Sequence, residues 1–355
     1  MKILIIVDNL YNGGAGRVAS VLANAFIEKN IVYCVVKEPL INYKIHDNVH
    51  FHVLSGNFSF YKLEVIPRLV SYIRLIRHIK PDIIISLGHV SKYTTMANWF
   101  SKNKICIIDS ERSDPNQVPS STFMKWIRNR FYGMADCLVC QTYQAKEYYK
   151  KILRIPIAVI PNPLTPNLPY WNGIDSFNII SACRLHEQKN IPMLIRAFNE
   201  IHKIYPYYKL HIYGEGPLKN ELQQKIDELG LNDCIHLLGS TRNLHEILAN
   251  SFMFVSSSDH EGLSNSMLEA MAIGIPVVCT DCPIGGASMF IRNKVNGILT
   301  PIKDSDNFFK SMKYVIDNKK LLADMSKEAI KIREDLDASV IAKQWYDIIN
   351  YKRCE

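Results

Sequence analysis

The chain has no apolar run approaching the roughly 18 residues that a bilayer-spanning helix requires, so no membrane-crossing helix is expected. Its first apolar stretch, Lys2-Ile3-Leu4-Ile5-Ile6-Val7-Asp8, is too short and too soon acidic for a signal peptide. It reads as a first buried strand. There is no internal repeat and no low-complexity tract, which excludes solenoids and disordered linkers. Cysteine is present but in an odd number, 9, scattered through apolar segments, a distribution that suits reduced thiols rather than a disulfide framework. Two CxxC pairs occur, Cys137/Cys140 and Cys279/Cys282. In the first, residues three apart on a strand point to opposite faces, which argues against joint metal ligation. The glycine turn after the first strand lacks the third glycine of GxGxxG, so it is not a dinucleotide fingerprint.

What the chain does contain is alternation. Over 355 residues with 48% hydrophobic content, short apolar runs alternate with helix-like segments. That is the pattern of an α/β protein with doubly wound parallel sheets. Strands are expected at 3–7, 32–36, 51–54, 83–87, 105–109, 137–141 and 157–160, with helices over 16–29, 67–79 and 123–134. The proline-rich stretch from Pro161 to Pro169 then breaks the pattern and marks the domain boundary. The alternation restarts with strands at 177–182, 209–213, 235–238, 252–255, 276–280 and 297–299. Helices there are expected over 191–204, 217–229, 243–250 and 264–273, with two or three more after Asp304. The expected domains are 1–165 and 170–335, with a last helix over 338–355. In sheets of this kind ligands bind at the C-terminal strand ends, and those of two such domains can face one cleft.

Acidic residues are scarce in the first half. Residues 1–170 carry 21 Lys+Arg against 11 Asp+Glu, a balance of +10, whereas 171–355 carry 21 against 23, a balance of −2. The excess gathers beside aromatic and aliphatic residues in two helix-like stretches. One holds Arg74 and Arg77; the other holds Lys125, Arg128 and Arg130 among Phe123, Trp126 and Phe131. Basic amphipathic helices of this kind bind anionic membrane surfaces, the alternative being ordinary solvated faces. No nucleic-acid module accompanies the charge, so no nucleic-acid partner is expected.

Chemistry concentrates at the ends of successive strands. Gly13-Gly14-Ala15-Gly16-Arg17 opens the first helix, where backbone amides can meet an anion. In the second domain, Arg184 and Lys189 stand five residues apart at a strand-to-helix turn and can clamp a diphosphate. Asn190 can cap the next helix. Gly214 and Gly239 end the next two strands, where a ligand or a sheet edge can approach closely. The fourth strand runs into Ser258-Asp259-His260-Glu261-Gly262-Leu263-Ser264, and the helix that follows carries Glu269. Two acids so placed can hold the hydroxyls of a sugar nucleotide while the helix start faces its phosphates.

Taken in order, these motifs resemble the retaining family-4 glycosyltransferases of the GT-B fold, including those of bacterial capsule, O-antigen and glycan assembly. The likeness spans nearly the whole chain. It rests on the Gly13-Gly14-Ala15 turn, Arg184 with Lys189-Asn190, Gly214-Glu215-Gly216, Leu238-Gly239 and, above all, Glu261-Gly262-Leu263-Ser264 through Glu269-Ala270-Met271-Ala272. The resemblance implies two Rossmann-like domains around a central cleft, with the last helix crossing back to the first domain. It implies that Arg184 and Lys189 bind the donor's diphosphate and that Glu261 contacts the donor sugar. The amides of Gly262, Leu263 and Ser264 would hold sugar and phosphate, Glu269 the ribose hydroxyls, and the Gly14 turn the diphosphate from the other domain. Such enzymes retain anomeric configuration without a cofactor or metal, because cations and helix dipoles do the electrostatic work.

The chain also departs from that pattern. Gly16 stands where the family usually has Glu. His89 lies near the place of a first-domain catalytic histidine, a plain loop histidine being the alternative. Arg112, at the end of the fifth strand, is a candidate for an acceptor phosphate, against a salt bridge to Glu111 or Asp114. The Asp304-Ser305-Asp306 triplet imitates a metal motif but falls at a helix start and reads as a cap. Gly285 and Gly286 suggest close backbone approach at another strand end. The expected activity is transfer of a hexose or N-acetylhexosamine from a UDP-sugar to a glycan on a polyprenyl-diphosphate carrier. Its expected place is the cytoplasmic face of the cell membrane, held peripherally. The alternatives are a soluble sucrose- or glycogen-type synthase, a sugar-nucleotide epimerase on the same fold, and a non-catalytic sugar-nucleotide binder.

Overall fold

The described strands of this protein pair in parallel, and three inner ones, Ile83–Leu87, Cys137–Cys140 and Val277–Thr280, are buried along their whole length. The structure is a computed structural model that describes residues 1–11, 14–54, 65–88, 91–101 and 105–354. The chain divides into two compact units, Met1–Pro163 with Leu336–Glu355, and Leu164–Asp335.

The first unit begins β1 (Lys2–Val7), α1 (Gly14–Phe26), β2 (Ile31–Val36), β3 (His50–Val53), α2 (Val65–Ile79) and β4 (Ile83–Leu87). It continues α3 (Ser91–Ser101), β5 (Cys106–Ser110), α4 (Thr122–Tyr132), β6 (Cys137–Cys140), α5 (Tyr143–Lys150) and β7 (Ile157–Val159). Its sheet runs β3-β2-β1-β4-β5-β6-β7. Strands such as Ile83-Ile84-Ile85-Ser86-Leu87, buried throughout, read as unbroken apolar runs because helices cover both faces. The order reverses direction between β1 and β4, so the Gly14 turn and Gly88 stand on either side of that switch point.

The second unit comprises β8 (Asn178–Ala182), α6 (Ile191–Ile204), β9 (Lys209–Tyr213), α7 (Lys219–Glu228), β10 (Ile235–Gly239), α8 (Leu244–Ala249) and β11 (Met253–Ser256). After these come α9 (Asn265–Ile273), β12 (Val277–Thr280), β13 (Ile298–Thr300), α10 (Ser305–Asp317), α11 (Leu322–Ala329) and α12 (Ile332–Asp335). Its sheet order is β10-β9-β8-β11-β12-β13. The core gathers around Phe198, Phe252 and Phe308, each fully buried. Such side chains contribute about 1.5–3 kcal/mol apiece on leaving water.

Local chemistry sets the helix ends. Asn190 adopts a left-handed conformation (φ 43°) and its side chain accepts from the Met193 amide at 3.3 Å, with Pro192 in the first turn of α6. Asp304 caps α10, its Oδ1 accepting from the Asn307 amide at 2.9 Å. Gly274 (φ 93°) closes α9 just before Pro276. The last helix, α13 (Ala338–Cys354), rejoins the first unit. Trp345, 0% exposed, lies with its ring 5.6 Å from the Arg112 guanidinium, and Tyr346 packs against Phe26 of α1 at 5.7 Å.

Candidate active site

In the second unit the sheet order reverses between β8 and β11, and the two loops leaving those strands carry the charged residues. An open α/β sheet leaves a crevice at such a switch point. From the β8 side come Gln188, Lys189 and Asn190; from the β11 side come Ser257, Ser258, Asp259 and Glu261. The loops are laced together. The Asp259 amide donates to the Gln188 carbonyl at 2.9 Å, Ser257 Oγ to the Lys189 carbonyl at 2.8 Å, and Asn190 Nδ2 to Asp259 Oδ1 at 2.8 Å.

At the centre Lys189 Nζ forms an ion pair with Glu261 Oε1, the side chains 13% and 17% exposed. Ser258 Oγ donates to the same carboxylate oxygen at 2.8 Å, and Gln188 Nε2 donates to Oε2 at 3.2 Å and to the His260 carbonyl at 2.7 Å. Glu261 is therefore fixed by three residues, Lys189, Ser258 and Gln188, while its second oxygen keeps acceptor capacity. Arg184 lies on the same loop with its side chain exposed and no ion-pair partner among the described residues. The structure thus brings Lys189 and Glu261 into contact and leaves Arg184 exposed.

Ser264 is the N-cap of α9, its Oγ accepting from the Met267 amide at 3.4 Å. Glu269, farther along that helix, is only 4% exposed. Burying a carboxylate requires donors, and two converge on it. Thr165 Oγ1 donates to Oε1 at 2.7 Å, and His245 Nε2 of α8 lies 3.2 Å from Oε2. Neither partner was evident in the sequence. Thr165 falls in the proline-rich connector and His245 in a helix with no motif around it.

The glycines of this unit serve its own backbone. Gly214 has φ 138°, and a Cβ there would lie 1.8 Å from the Cys183 carbonyl oxygen, so the β9 turn presses on the β8 loop. A Cβ at Gly286 would lie 2.2 Å from the Gly262 carbonyl oxygen. The close approach expected at Gly286 is thus an approach to the Gly262 loop. Gly239 ends β10 beside this framework, its amide neighbour Gly214 donating to its carbonyl at 2.8 Å. Leu263 is buried at 7% exposure and anchors the segment between Glu261 and α9.

In the first unit Gly14 is the opening residue of α1; Gly13 and His89 lie outside the described residues. Gly16 stands without a side chain for a steric reason: a Cβ would meet the Asn9 carbonyl oxygen at 2.8 Å. Arg112 Nη1 donates to Asn162 Oδ1 at 2.9 Å, and burial pushes its pKa down to about 10, with Glu111 acting in the opposite sense. Asp109, 0% exposed at the end of β5, has its pKa pushed up to about 7 by burial, the nearby Ser86 and Ser91 hydroxyls pulling the other way.

Of the cations read as membrane-facing, Arg74, Arg77 and Arg130 are exposed, whereas Lys125 Nζ donates to the Asn116 carbonyl. Arg128 requires a correction. Its side chain is 11% exposed, with Nη1 donating to the Pro115 carbonyl at 3.0 Å and lying 3.8 Å from Glu111 Oε2. It is a strut within the unit, because buried Glu111 and nearby carbonyls demand a donor there. No described helix is long and apolar enough to cross a membrane. Among the described residues, no cluster of three or more His, Cys, Asp or Glu is placed to hold a metal.

Comparison with known proteins matches the two halves separately. Residues 12–168 match the model of Glycosyltransferase Family 4, and residues 174–332 that of Glycosyl transferases group 1. An uncharacterized glycosyltransferase of Methanocaldococcus jannaschii is 30% identical over 336 residues, covering 81% of this chain and 80% of the relative. A Campylobacter jejuni relative, the N-acetylgalactosamine-N,N'-diacetylbacillosaminyl-diphospho-undecaprenol 4-alpha-N-acetylgalactosaminyltransferase, is 27% identical, covering 90% and 91% of the two chains. Among solved structures, Anabaena HepE in complex with UDP and glucose superposes with a TM-score of 0.84 at 18% identity, covering 99% of each chain. That likeness is one of fold: the two-domain GT-B architecture.

Proposed function

The chain belongs to the glycosyltransferases that join a family 4 half to a group 1 half, and from that premise we propose that it transfers a hexose or N-acetylhexosamine from a UDP-sugar to a glycan on a polyprenyl-diphosphate carrier, with retention of configuration. The observation that carries this reading is the Lys189–Glu261 pair at the switch point of the second sheet, with Glu269 held on the adjoining helix. Lys189 and exposed Arg184 take the diphosphate and stabilise it as it leaves. Glu261 receives hydroxyls of the donor sugar, and the amides of Gly262, Leu263 and Ser264 line the approach from sugar to phosphate. Glu269 accepts the ribose hydroxyls. Charge on the leaving diphosphate is met by these cations and the α9 N-terminus, so no metal or cofactor is required. Gly14 lines the diphosphate, and Arg112 is kept as the candidate acceptor contact. The lipid-linked acceptor is supported by the Campylobacter relative's own activity and by the +10 balance of residues 1–170. The same reading has the protein held peripherally on the cytoplasmic face of the membrane, with exposed Arg74, Arg77 and Arg130 toward the lipid.

The test is incubation with labelled UDP-sugars in EDTA, with and without polyprenyl-diphosphate glycans, followed by NMR of the product's anomeric linkage. Acceptor-dependent transfer with retained configuration is expected. Conversion of the sugar nucleotide without an acceptor, transfer to free sugars alone, or an inverted product would refute the corresponding part.

A further inference from the structure

We propose that the first unit holds the prenyl chain of the acceptor in an apolar pocket lined by Val118, Pro119, Met124, Ile127 and Phe131. The inference rests on the acceptor reading above and says where the lipid part is bound. The pocket has a volume of ≈ 170 Å³, and Gly88 and Glu111, the residues that follow β4 and β5, also line it. It therefore opens at C-terminal strand ends, the side on which such sheets bind ligands.

Two of the charged groups in its wall, Glu111 and Arg128, are already engaged. Glu111 Oε1 accepts the amides of Arg112 and Ser113 at 2.9 and 3.0 Å, and Oε2 accepts from Tyr149 Oη at 2.6 Å. Arg128 faces that carboxylate at 3.8 Å and donates to the Pro115 and Val118 carbonyls. A polar ligand would have to displace these bonds, whereas hydrocarbon needs only the apolar wall.

The pocket is continuous with an outward-facing apolar ridge on the same helix. Met124 lines the pocket and is 39% exposed, while Phe123 and Trp126, 66% and 59% exposed, stack on one another with centroids 6.1 Å apart. Exposed Arg130 stands on that helix too. Exposed aromatics beside a cation suit the headgroup boundary of an anionic bilayer, so a chain leaving the bilayer meets Met124 first. A cation waits on the pocket wall as well: Lys92, in the first turn of α3, has its Nζ over the Tyr93 ring at 5.0 Å. A hydrocarbon chain ending in a diphosphate matches an apolar cavity with a cationic wall; a free phosphate or a sugar does not.

The experiment is calorimetric titration of the full chain with farnesyl diphosphate and with inorganic diphosphate. Farnesyl diphosphate should bind at least about 10-fold more tightly, since each buried methylene adds favourable transfer free energy. Ile127→Trp, which fills the pocket, should remove that preference and leave binding of inorganic diphosphate unchanged. Should this variant fold poorly, a farnesyl diphosphate carrying a terminal diazirine is photolysed on the unaltered protein; adducts are expected on peptides containing Val118, Met124 or Phe131. Equal affinity for the two ligands, or adducts confined to other segments, overturns the pocket. The transfer assay keeps the two ideas apart. Transfer to a polyprenyl-diphosphate glycan without prenyl preference sinks the pocket alone; pocket-dependent prenyl binding without such transfer sinks the acceptor reading alone.

Discussion

Glu269→Gln tests the donor side most directly, because it preserves shape and removes charge. The carboxylate is 4% exposed, with Thr165 Oγ1 donating to one oxygen at 2.7 Å and His245 Nε2 3.2 Å from the other. An amide in its place points an NH2 at one of these two donors and leaves a single oxygen to accept. If the ribose diol is held here, its charge-assisted bonds contribute about 1.5–3 kcal/mol, which corresponds to a roughly 10- to 150-fold loss of UDP affinity. The contact exists equally in ground and transition states, so KM should rise with kcat little changed. Calorimetric titration with UDP and with 2′-deoxy-UDP provides the assay. The unaltered protein should prefer UDP, and the variant should lose that preference. Its stability should fall by about 1–3 kcal/mol as well, from the donor left facing an NH2. A folded variant that binds UDP within twofold of normal, with the same discrimination against 2′-deoxy-UDP, refutes the assignment.

Lys189→Ala removes the cation paired with Glu261 and should lower kcat by about 10²–10³, the scale of a lost transition-state donor; turnover within threefold of normal would contradict the role. Burial raises Asp109 to about 7 from an ordinary value of 3.8, so the unfolded chain releases this proton first and stability falls as pH climbs between those two values. Asp109→Asn should flatten that slope and stabilise the protein at pH 8 by up to roughly 4 kcal/mol at 1.36 kcal/mol per unit, read from urea unfolding at pH 5 and pH 8. Arg128→Ala should destabilise by about 3–5 kcal/mol, because it strands buried Glu111. Arg130→Ala should leave the melting temperature unchanged and weaken binding to anionic vesicles at low salt; the opposite pairing of effects would reverse the inward and outward assignments.

The fold was legible because parallel strands covered on both faces must be apolar throughout. Ile83–Leu87 and Val277–Thr280, buried at every position, stand out from their surroundings for that reason. The helices that escaped notice, α3 and α5, are Thr-, Tyr- and Lys-rich segments without a sharp apolar stripe, and their tertiary setting fixes them. The active-site acids were visible since they sit in a run whose order of residue types is distinctive. Their partners were not. Thr165 is 104 positions from Glu269, and Gln188 is 73 from Glu261. Separations of that length leave no periodic trace, and a hydroxyl or an amide in a loop has many possible uses. Arg128 shows the converse. In the sequence it is one of three cations flanking aromatics on α4, and only its register against Glu111 separates the strut from the surface charges.

The two acids are held in different ways, and the difference fits the separate tasks proposed for them. Glu269 is buried and met by Thr165 and His245, so its position is set by the protein before any ligand arrives. Glu261 is half-buried, and its principal partner is Lys189, the same cation assigned to the diphosphate. An ammonium carries three donors. Lys189 can therefore keep one bond to Glu261 while turning the others to phosphate oxygens, and Ser258 with Gln188 continues to fix the carboxylate as it does so. The pair is then no obstacle to the donor. On the proposed assignment it holds the cation in place and aims it at the bond that breaks. By the same assignment, a carboxylate meant for the sugar and an ammonium meant for the leaving group are linked through one hydrogen bond, so a change at either residue should be felt at both ends of the scissile bond.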